Sequence, residues 1–500
     1  MFTAHRKIVG LGFALACAVV LASSTSPSAQ GSQTYVVLYT GNTVPGDAAR
    51  VIAASGGTLV AAYAPIGVAI ASSGSDAFRA NLLAQGGVAG VSATQGFGTQ
   101  LRDDDLQQAQ SGADALLNSP VADSDPLSGL QWDMRQIHTP DAHAITGGSP
   151  TVLVGDLDTG LDYTHPDLAA NVDFGNSASC VTGIPVQDPN AWDDDNGHGT
   201  HTAGTIAAAA NGVGIVGVAP NVRIAAVKVG NPDGFFYPEA VICAFMWAAS
   251  HHFDVVNNSY FADPWLFNCR NDATQRAIWE AERRAIRYAI SHGVTVVASA
   301  GNENFDLAKK NIDEISPDDT TPISREVTNA CAIVPGEVPG VLTVSGNGNK
   351  LQKAYYSSYG VGIVELVAPG GDRRFQVTAQ APNGRVLSTY PAKFLGASPL
   401  FVQDCSVTPC AVYAYLQGTS MAAPHVTGVA ALAISQLGKM APGTVAAVLT
   451  RTADEVPCPP NPFNPGPPFD FQATCTGGSG YNSFYGFGQV NALSAISAVR

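Results

Sequence analysis

Alternation of strand-like and helix-like segments is the feature that most constrains the fold of this chain. From residue 131 onward, β-rich apolar runs alternate with helical patterns; the runs lie at 152–157, 223–229, 255–258 and 294–299, and the helical patterns at 200–210, 240–251 and 275–292. Short apolar runs of this kind indicate strands buried on both faces. The pattern predicts an α/β fold, with a doubly wound, mostly parallel sheet and helices on both faces. In such sheets the reactive groups collect where strands end.

A smaller unit precedes this alternation. Its strand-like segments lie at 35–39, 58–63, 67–71 and 88–93, and its helical segments at 46–55 and 75–85. The order β-α-β-β-α-β predicts a small α+β domain over residues 32–102. A unit of this size has only a marginal core of its own. Residues 103–130 are rich in Asp, Gln, Ser and Ala and are predicted to be a linker.

The first 30 residues have the layout of a secretory signal peptide. Three basic or titratable residues, His5 to Lys7, precede an apolar run over 8–22, which is followed by a stretch rich in Ser, Ala and Pro. The run is too short to span a bilayer comfortably. Cleavage after Ala22 and cleavage near Ala29 both fit the pattern. We therefore predict a secreted, extracellular protein that keeps no membrane contact after export.

Charge and cysteine content narrow the partners and the compartment. Forty acidic and 25 basic residues give a formal net charge of −15, which argues against nucleic acid as a partner. Apart from Cys17 in the apolar run there are eight cysteines, an even number that in an exported protein predicts up to four disulfides. The short separations favour the pairs Cys405–Cys410 and Cys458–Cys475.

Three glycine-containing boxes lie at boundaries of the predicted elements. Asp158 opens an Asp-Thr-Gly box after the first strand, His198 lies in Asn-Gly-His-Gly-Thr-His, and Ser420 lies in Gly-Thr-Ser-Met-Ala-Ala-Pro. A serine hydroxyl becomes a nucleophile when an imidazole takes its proton and a carboxylate fixes the tautomer of that imidazole. The three residues are therefore candidate catalytic groups.

The boxes resemble, in the same order, the three catalytic boxes of subtilisin-like serine proteases, the subtilases. Further similar segments lie at 164–168, 300–302, 367–370 and 485–492, so that the resemblance covers most of a peptidase domain over residues 131–500. It implies a serine endopeptidase that acts through an acyl-enzyme, with Asp158, His198 and Ser420 as the triad. It also implies that Asn302 donates to the oxyanion.

The resemblance implies partners as well. Protein or peptide substrates would lie along two extended segments, made of Ser259, Tyr260, Phe261, Ser299, Ala300 and Gly301. Phe261 replaces the glycine expected there, which leaves the side-chain preference open. Residues 32–102 would be an inhibitory propeptide that the enzyme removes from itself in the linker, and the mature enzyme would be a monomer.

Several positions depart from the family pattern or leave alternatives open. No cofactor is expected for the bond-breaking, but structural calcium stays open, because the run Asp193-Asp194-Asp195 could bind calcium or form a solvated acidic turn. Asp156 stands where an apolar residue is usual and shares a strand face with Asp158, so that it is an alternative acid. Residues 372–417 are predicted to be an insertion that shapes access to the nucleophile.

Two other functions compete with the protease. An esterase of the α/β-hydrolase type needs the order Ser, acid, His, but His425 is the only histidine after Ser420 and no acid lies between them. A catalytically inactive binding protein on the same scaffold differs only in activity, and it remains the alternative.

Overall fold

The computed structural model describes residues 32–94, 124–262, 265–317, 321–466 and 471–498 of the 500-residue chain. The predicted signal peptide over residues 1–30, the end of the predicted propeptide at 95–102 and residues 103–123 of the predicted linker lie outside the described residues.

The N-terminal unit is a four-stranded antiparallel sheet with two helices. Its elements are β1 (Gln33–Tyr39), α1 (Ala48–Ala54), β2 (Thr58–Tyr63), β3 (Val68–Ser73), α2 (Phe78–Leu83) and β4 (Val88–Ala93), and the strand order is β2-β3-β1-β4. Residues alternate between two faces along β1: Val37 packs with the two helices, while Val36 and Leu38 pack against the second unit. The predicted order of elements is confirmed.

The second unit contains the remaining elements. Its helices are α3 (Trp132–Gln136), α4 (Thr139–His143), α5 (Pro189–Trp192), α6 (His198–Ala207), α7 (Pro238–Ser250), α8 (Ala273–Ser291), α9 (Thr419–Leu437), α10 (Pro442–Arg451) and α11 (Ala492–Ile496). Its strands are β5 (Leu153–Asp158), β6 (Ala178–Ser179), β7 (Arg223–Lys228), β8 (Val255–Asn258), β9 (Asn268–Cys269), β10 (Thr295–Ser299), β11 (Ile312–Asp313), β12 (Arg325–Glu326), β13 (Cys331–Ala332), β14 (Leu342–Asn347), β15 (Leu366–Pro369), β16 (Val386–Thr389), β17 (Phe401–Asp404), β18 (Ala411–Leu416), β19 (Gly477–Gly478) and β20 (Tyr481–Asn482).

A seven-stranded parallel sheet forms the centre of this unit, in the order β15-β14-β10-β8-β5-β7-β6. Side chains of α6 and α9 pack on one face, where Val154 and Ile224 of the sheet join them. Side chains of α7 and α8 pack on the other face, against Leu157 and Val227. The doubly wound α/β class is therefore confirmed, and the sequence pattern follows from strands that are buried on both sides.

The three predicted helices of the second unit begin two residues too late, and the structure explains why. Helix α6 begins at His198 rather than at 200, α7 at Pro238 rather than at 240, and α8 at Ala273 rather than at 275. Proline occupies the first turn of α7, where its fixed φ suits the helix. Asp272 caps α8 by accepting hydrogen bonds from two backbone N–H groups of its first turn.

Part of the predicted insertion folds into a small antiparallel sheet of order β16-β18-β17. This sheet backs α6: the Thr389 hydroxyl donates to the Thr200 carbonyl over 2.7 Å, and Tyr390 lies against Gly197. Its effect on access to the nucleophile stays a prediction.

Four disulfides cross-link the described part of the chain. The predicted pairs Cys405–Cys410 and Cys458–Cys475 are confirmed, and the other two join Cys180 to Cys243 and Cys269 to Cys331. Within the described ranges no single helix has the length and apolar character needed to cross a membrane, although α9 and α10 pass that test together as a sharply bent pair.

Candidate active site

The candidate catalytic residues lie where central strands end and helices begin. Asp158 is the last residue of β5, His198 the first residue of α6, and Ser420 the second residue of α9. Strand β5 pairs with β8, and Ser259 directly follows β8. Because α6 and α9 pack on the same face of the sheet, their first turns converge with the strand ends.

Asp158 and His198 form a buried pair. The Nδ1 atom of His198 lies 2.7 Å from Oδ1 of Asp158, and the two side chains are 4% and 0% exposed. The same carboxylate oxygen accepts a hydrogen bond from the Thr159 backbone N–H at 2.7 Å. A carboxylate at Nδ1 places the ring proton there and makes Nε2 the nitrogen that can accept a proton.

Asp156, the alternative acid, does not contact the imidazole. One of its carboxyl oxygens lies 2.7 Å from the Thr202 hydroxyl oxygen, and the other accepts a hydrogen bond from the Asn257 side-chain amide at 2.9 Å. Burial, and after it the charge of Asp158, raises the pKa of Asp156 well above its usual range. Of the two carboxyl groups, Asp158 is therefore the one that contacts the imidazole of His198.

Ser420 is tied to the segment that follows β8. Its hydroxyl donates to the Ser259 carbonyl oxygen at 3.1 Å, and the Ser259 hydroxyl donates back to the Ser420 carbonyl oxygen at 2.8 Å. The nucleophile candidate is 7% exposed. As the second residue of α9 it also lies among backbone N–H groups that have no partner within the helix.

Asn302 lies in the loop after β10, close to the start of α9. Its Oδ1 atom accepts hydrogen bonds from the Thr419 backbone N–H and from the Thr419 hydroxyl, both at 2.9 Å. The Thr419 hydroxyl oxygen in turn accepts from the Gly301 N–H at 3.1 Å. Gly301 has a φ of 100°, which a residue with a side chain would adopt only with strain. With Oδ1 occupied by these two bonds, Nδ2 is the donor end of the exposed Asn302 side chain.

Asp194 organises the start of α6, and sequence reasoning missed this role. Its Oδ2 atom accepts from the Thr200 N–H at 2.9 Å and from the Thr200 hydroxyl at 2.6 Å, and its Oδ1 atom accepts from the Gly197 N–H at 2.9 Å. An anion at a helix N-terminus accepts hydrogen bonds from backbone N–H groups that have no partner within the helix, and it interacts favourably with the positive end of the helix dipole. The signal was present as an acidic run just before the predicted helix, but three adjacent aspartates gave no basis for choosing one.

Each aspartate of the acidic turn has a protein partner, so that the turn is not simply solvated, and calcium binding there stays a prediction. Asp194 is fully buried and holds the helix, while Asp193 pairs with Lys393 Nζ at 2.6 Å and Asp195 pairs with Lys228. Across the described parts of the chain, no group of three or more His, Cys, Asp or Glu side chains converges as metal ligands would.

The second histidine of the His box has a structural environment. Nε2 of His201 lies 3.1 Å from the Ala414 carbonyl oxygen of β18, and the side chain is fully buried. Burial lowers the pKa of His201 to about 3, so that the ring is neutral at ordinary pH.

The aromatic side chains of the candidate substrate-binding residues beyond β8 are packed against other parts of the fold. Tyr260 is stacked on Phe236, with 4.4 Å between ring centroids, and its hydroxyl donates to Oδ1 of Asn258 at 3.1 Å. Phe261 is half-buried against an apolar cluster that includes Phe267. The structure therefore holds both aromatic side chains in fixed surroundings beside Ser259.

The candidate substrate-binding residues beyond β10 already use part of their backbone in the fold. The Ala300 N–H donates to the Val344 carbonyl oxygen at 3.0 Å, and the Gly301 N–H donates to Thr419. Ser299 is the last residue of β10 and is buried. Any peptide that lies here must pair with the groups that remain.

The N-terminal unit docks on α7 and α8. Nη1 of Arg284, on α8, lies 3.1 to 3.2 Å from three of its carbonyl oxygens, those of Tyr39, Gly41 and Ile66. The Tyr63 hydroxyl donates to the Gly183 carbonyl oxygen at 2.6 Å. Apolar side chains of β1 and β3 join those of α7 and α8 in one buried cluster.

Two glutamates lie near this interface. Glu239 of α7 forms a hydrogen bond with the side chain of Thr94, the last residue described in the N-terminal unit. Glu282 of α8 lies near enough to Glu239 for the charges of the two carboxyl groups to interact. Burial raises the pKa of Glu239 to about 7 and that of Glu282 well above its usual range. Neither oxygen of Glu282 has a hydrogen-bond partner among the described residues.

Comparison with known proteins supports one family. The family model described as the subtilase family matches residues 149–488. Subtilisin BL of Lederbergia lenta is 33% identical over 305 residues, which are 61% of this chain and 83% of that protein. Fervidolysin of Fervidobacterium pennivorans is 28% identical over 387 residues, which are 76% of this chain and 46% of that protein, so that the match spans about half of its length.

Solved structures give the same fold. An epidermin leader peptide processing serine protease from Staphylococcus aureus superposes with a TM-score of 0.66 at 20% identity, over 93% of this chain and 98% of that one. The fervidolysin structure gives a TM-score of 0.64 at 25% identity, over 94% of this chain and 61% of that one. Both alignments cover nearly all of this chain.

Proposed function

This chain belongs to the subtilase family, and from that premise we propose that it is a serine endopeptidase that hydrolyses protein and peptide substrates. Asp158, His198 and Ser420 are its catalytic residues. The observation that carries the proposal is the buried 2.7 Å contact between His198 Nδ1 and Asp158, with Ser420 at the start of a neighbouring helix. Burial strengthens that contact because few waters screen it.

The reaction proceeds through an acyl-enzyme. Ser420 Oγ attacks the scissile carbonyl carbon while Nε2 of His198 takes its proton, and Asp158 stabilises the imidazolium that forms. The imidazolium then protonates the leaving amine as the carbon–nitrogen bond breaks. A water attacks the ester carbonyl carbon as His198 takes the water's proton. The bond between that carbon and Ser420 Oγ then breaks, the acid product leaves, and His198 returns the proton to Ser420 Oγ. No step needs a cofactor.

Donors around the reaction centre stabilise the tetrahedral oxyanion. Asn302 Nδ2 is one, and the backbone N–H of Ser420 in the first turn of α9 is the other. The two hydrogen bonds from Thr419 support this role, because they hold the Asn302 amide before any substrate arrives. A donor that is already oriented costs no reorganisation during the reaction.

An extended peptide binds between the two segments that leave the sheet. Ser259, Tyr260 and Phe261 form one side, and Ser299, Ala300 and Gly301 form the other. Backbone pairing of this kind accepts many sequences, so that broad specificity is expected. The fixed aromatic side chains beside Ser259 shape the pockets on that side.

The chain is made as a secreted zymogen that processes itself. Residues 32–102 act as an intramolecular inhibitor, which the docking of the described part on α7 and α8 supports. The cleaved bond lies in the linker over residues 103–130. The apolar N-terminal run and the four disulfides support export to an oxidising compartment, where the mature enzyme acts as a monomer.

N-terminal sequencing of the secreted product tests this proposal. We expect wild type to begin in the linker, and Ser420→Ala from the same host to retain residues 32–94. A fluorophosphonate probe should label wild type and not Ser420→Ala, while Ser435→Ala, altered further along the same helix, should label normally. Absence of labelling and of processing in wild type would favour the inactive binding protein instead.

A further inference from the structure

Asp156 lies at the junction of the elements that carry the proposed triad. It belongs to β5, its side chain is on the same strand face as Asp158, and only 2% of the residue is exposed. Its two hydrogen bonds run in different directions, one to Thr202 of α6 and one to Asn257 of β8.

The bond to Thr202 reaches the helix that His198 begins, at a residue one turn further along. The Thr202 hydroxyl oxygen lies 2.7 Å from Asp156 Oδ2 and 3.0 Å from the Gly199 carbonyl oxygen. The hydroxyl has one proton, and a carbonyl can only accept. If Thr202 donates to Gly199, the short contact with Asp156 is a hydrogen bond only when Asp156 carries the proton.

The bond to Asn257 reaches the helix that Ser420 occupies. Nδ2 of Asn257 lies 2.9 Å from Asp156 Oδ1 and 3.0 Å from the Ser259 hydroxyl, which itself donates to the Ser420 carbonyl oxygen. Asn257 Oδ1 accepts from the Thr427 hydroxyl of α9 at 3.3 Å. A continuous polar network thus links the two helices through Asp156.

The charges around Asp156 disfavour its ionised form. Its direct contacts, Thr202 and Asn257, are uncharged, and the titratable groups that act on it are Asp158, which opposes a second negative charge, and His198, which favours one. Burial is the largest effect and favours the neutral acid, in agreement with the raised pKa of this carboxyl.

We propose that Asp156 is a positioning residue, a neutral carboxylic acid that donates to Thr202 and accepts from Asn257 and so fixes His198 relative to Ser420. The proposal rests on the proposed function, because it assigns Asp156 the role of positioning two residues of the proposed triad. Asp156 touches no reacting atom and acts through the first turns of α6 and α9. Its effect is therefore on the catalytic step and not on substrate affinity.

Two substitutions separate the hydrogen bonds from the charge. Asp156→Asn has nearly the same shape and can still donate and accept, whereas Asp156→Leu can do neither. We expect Asp156→Asn to keep kcat within about 3-fold of wild type, and Asp156→Leu to lower kcat by about 10- to 100-fold with little change in KM, the size expected when catalytic groups are misplaced by less than about 1 Å. Thr202→Val should resemble Asp156→Leu.

The pH profile of kcat/KM tests whether Asp156 is neutral, because removal of a negative charge near His198 would move the profile. We expect its acid limb, which reports His198, to stay unchanged in Asp156→Asn. A shift of that limb to lower pH would mean that an anion had been removed, and it would overturn the neutral acid. Equal kcat values for wild type and Asp156→Leu would overturn the positioning role.

A measurement that needs no activity covers the case in which Asp156→Leu does not fold. Infrared difference spectra between Ser420→Ala and the same chain with Asp156→Asn should contain the carbonyl stretch of a protonated carboxylic acid, and a carboxylate stretch there instead would overturn the proposal.

Failure of wild type to hydrolyse peptides or to label at Ser420 would overturn the proposed function and this role together. An unaltered kcat in Asp156→Leu of an active enzyme would overturn this role alone.

Discussion

The side-chain oxygen of Asn302 accepts both the backbone N–H and the hydroxyl of Thr419, each at 2.9 Å. An amide has one oxygen and one nitrogen, so two donors at the oxygen fix which end faces outward. The start of α9 thereby orients the loop that follows β10. The proposed oxyanion donor is set by the residue that immediately precedes the proposed nucleophile.

Removal of the Asn302 amide should therefore lower turnover. We expect Asn302→Leu to reduce kcat by about 10²- to 10³-fold with little change in KM, because the amide donates only to the charged intermediate; this magnitude is the one known for subtilisin, a member of the same family. Thr419→Val removes one of the two orienting donors and should cost less, about 10-fold. Steady-state kinetics on a peptide anilide would measure both. Unchanged kcat in Asn302→Leu would contradict the assignment.

Replacement of Asp158 by asparagine should preserve the fold and impair the base. The amide can donate to His198 Nδ1 and so favour the wrong tautomer, and we expect kcat to fall on the order of 10⁴-fold, as in other serine proteases, subtilisin among them. Asp162→Asn is the matched control, since that carboxylate accepts hydrogen bonds from Thr164 at 2.6 to 3.0 Å. A comparable loss in the control would show that the substitution acts through folding.

Arg284 should govern how long the N-terminal unit stays bound after cleavage. Its side chain is 14% exposed and contacts three carbonyl groups of that unit, and hydrogen bonds from charged groups contribute about 1.5–3 kcal/mol. Arg284→Ala should shorten the lifetime of the inhibited complex by about 10- to 100-fold, measured as recovery of activity after processing. Arg287→Ala is the control, because Arg287 donates to Pro339 within the second unit. Equal lifetimes in the two variants would contradict this docking role.

Release of the same unit should accelerate as pH rises. Burial raises the pKa of Glu239 to about 7, although the hydrogen bond to Thr94 acts against that rise, and we expect the carboxyl group to lose this burial and its proton when the unit leaves. The stabilisation is complete below the ordinary glutamate pKa of about 4.3 and is lost as pH rises through about 7. We expect the lifetime of the complex to fall on the order of 10-fold between pH 5.5 and pH 8. Samples incubated at each pH and assayed at one common pH would show this.

Glutamine variants isolate the groups responsible for that pH dependence. Glu239→Gln and Glu282→Gln should each flatten the profile, because an amide does not titrate, whereas Glu314→Gln at an exposed position should leave it unchanged. A profile that keeps its slope in the double variant would place the titrating group elsewhere.

Much of the fold was readable from the sequence, because strands buried on both faces leave continuous apolar runs. The predicted strand β5 and its neighbours agree with the structure to within one residue at each end. The predicted start of α6 did not agree with the structure, because its cap comes from Asp194, and the two sequence neighbours of Asp194 are also aspartates. The polar network around Asp156 was equally hidden, because Thr202 and Asn257 reach Asp156 only when α6 and β8 pack around β5.

The disulfides show the same limit and allow a last prediction. The pairs that close short loops were predictable, whereas Cys180 and Cys243 are 63 residues apart and meet only in the fold. A longer loop restrains the unfolded chain more, so alanine at both cysteines should cost about 4 kcal/mol, against about 2 kcal/mol for Cys405 and Cys410, which are five residues apart. Urea denaturation in the Ser420→Ala background, which avoids self-digestion, would measure both losses. Equal losses would mean that loop entropy is not the main contribution of the long-range bond.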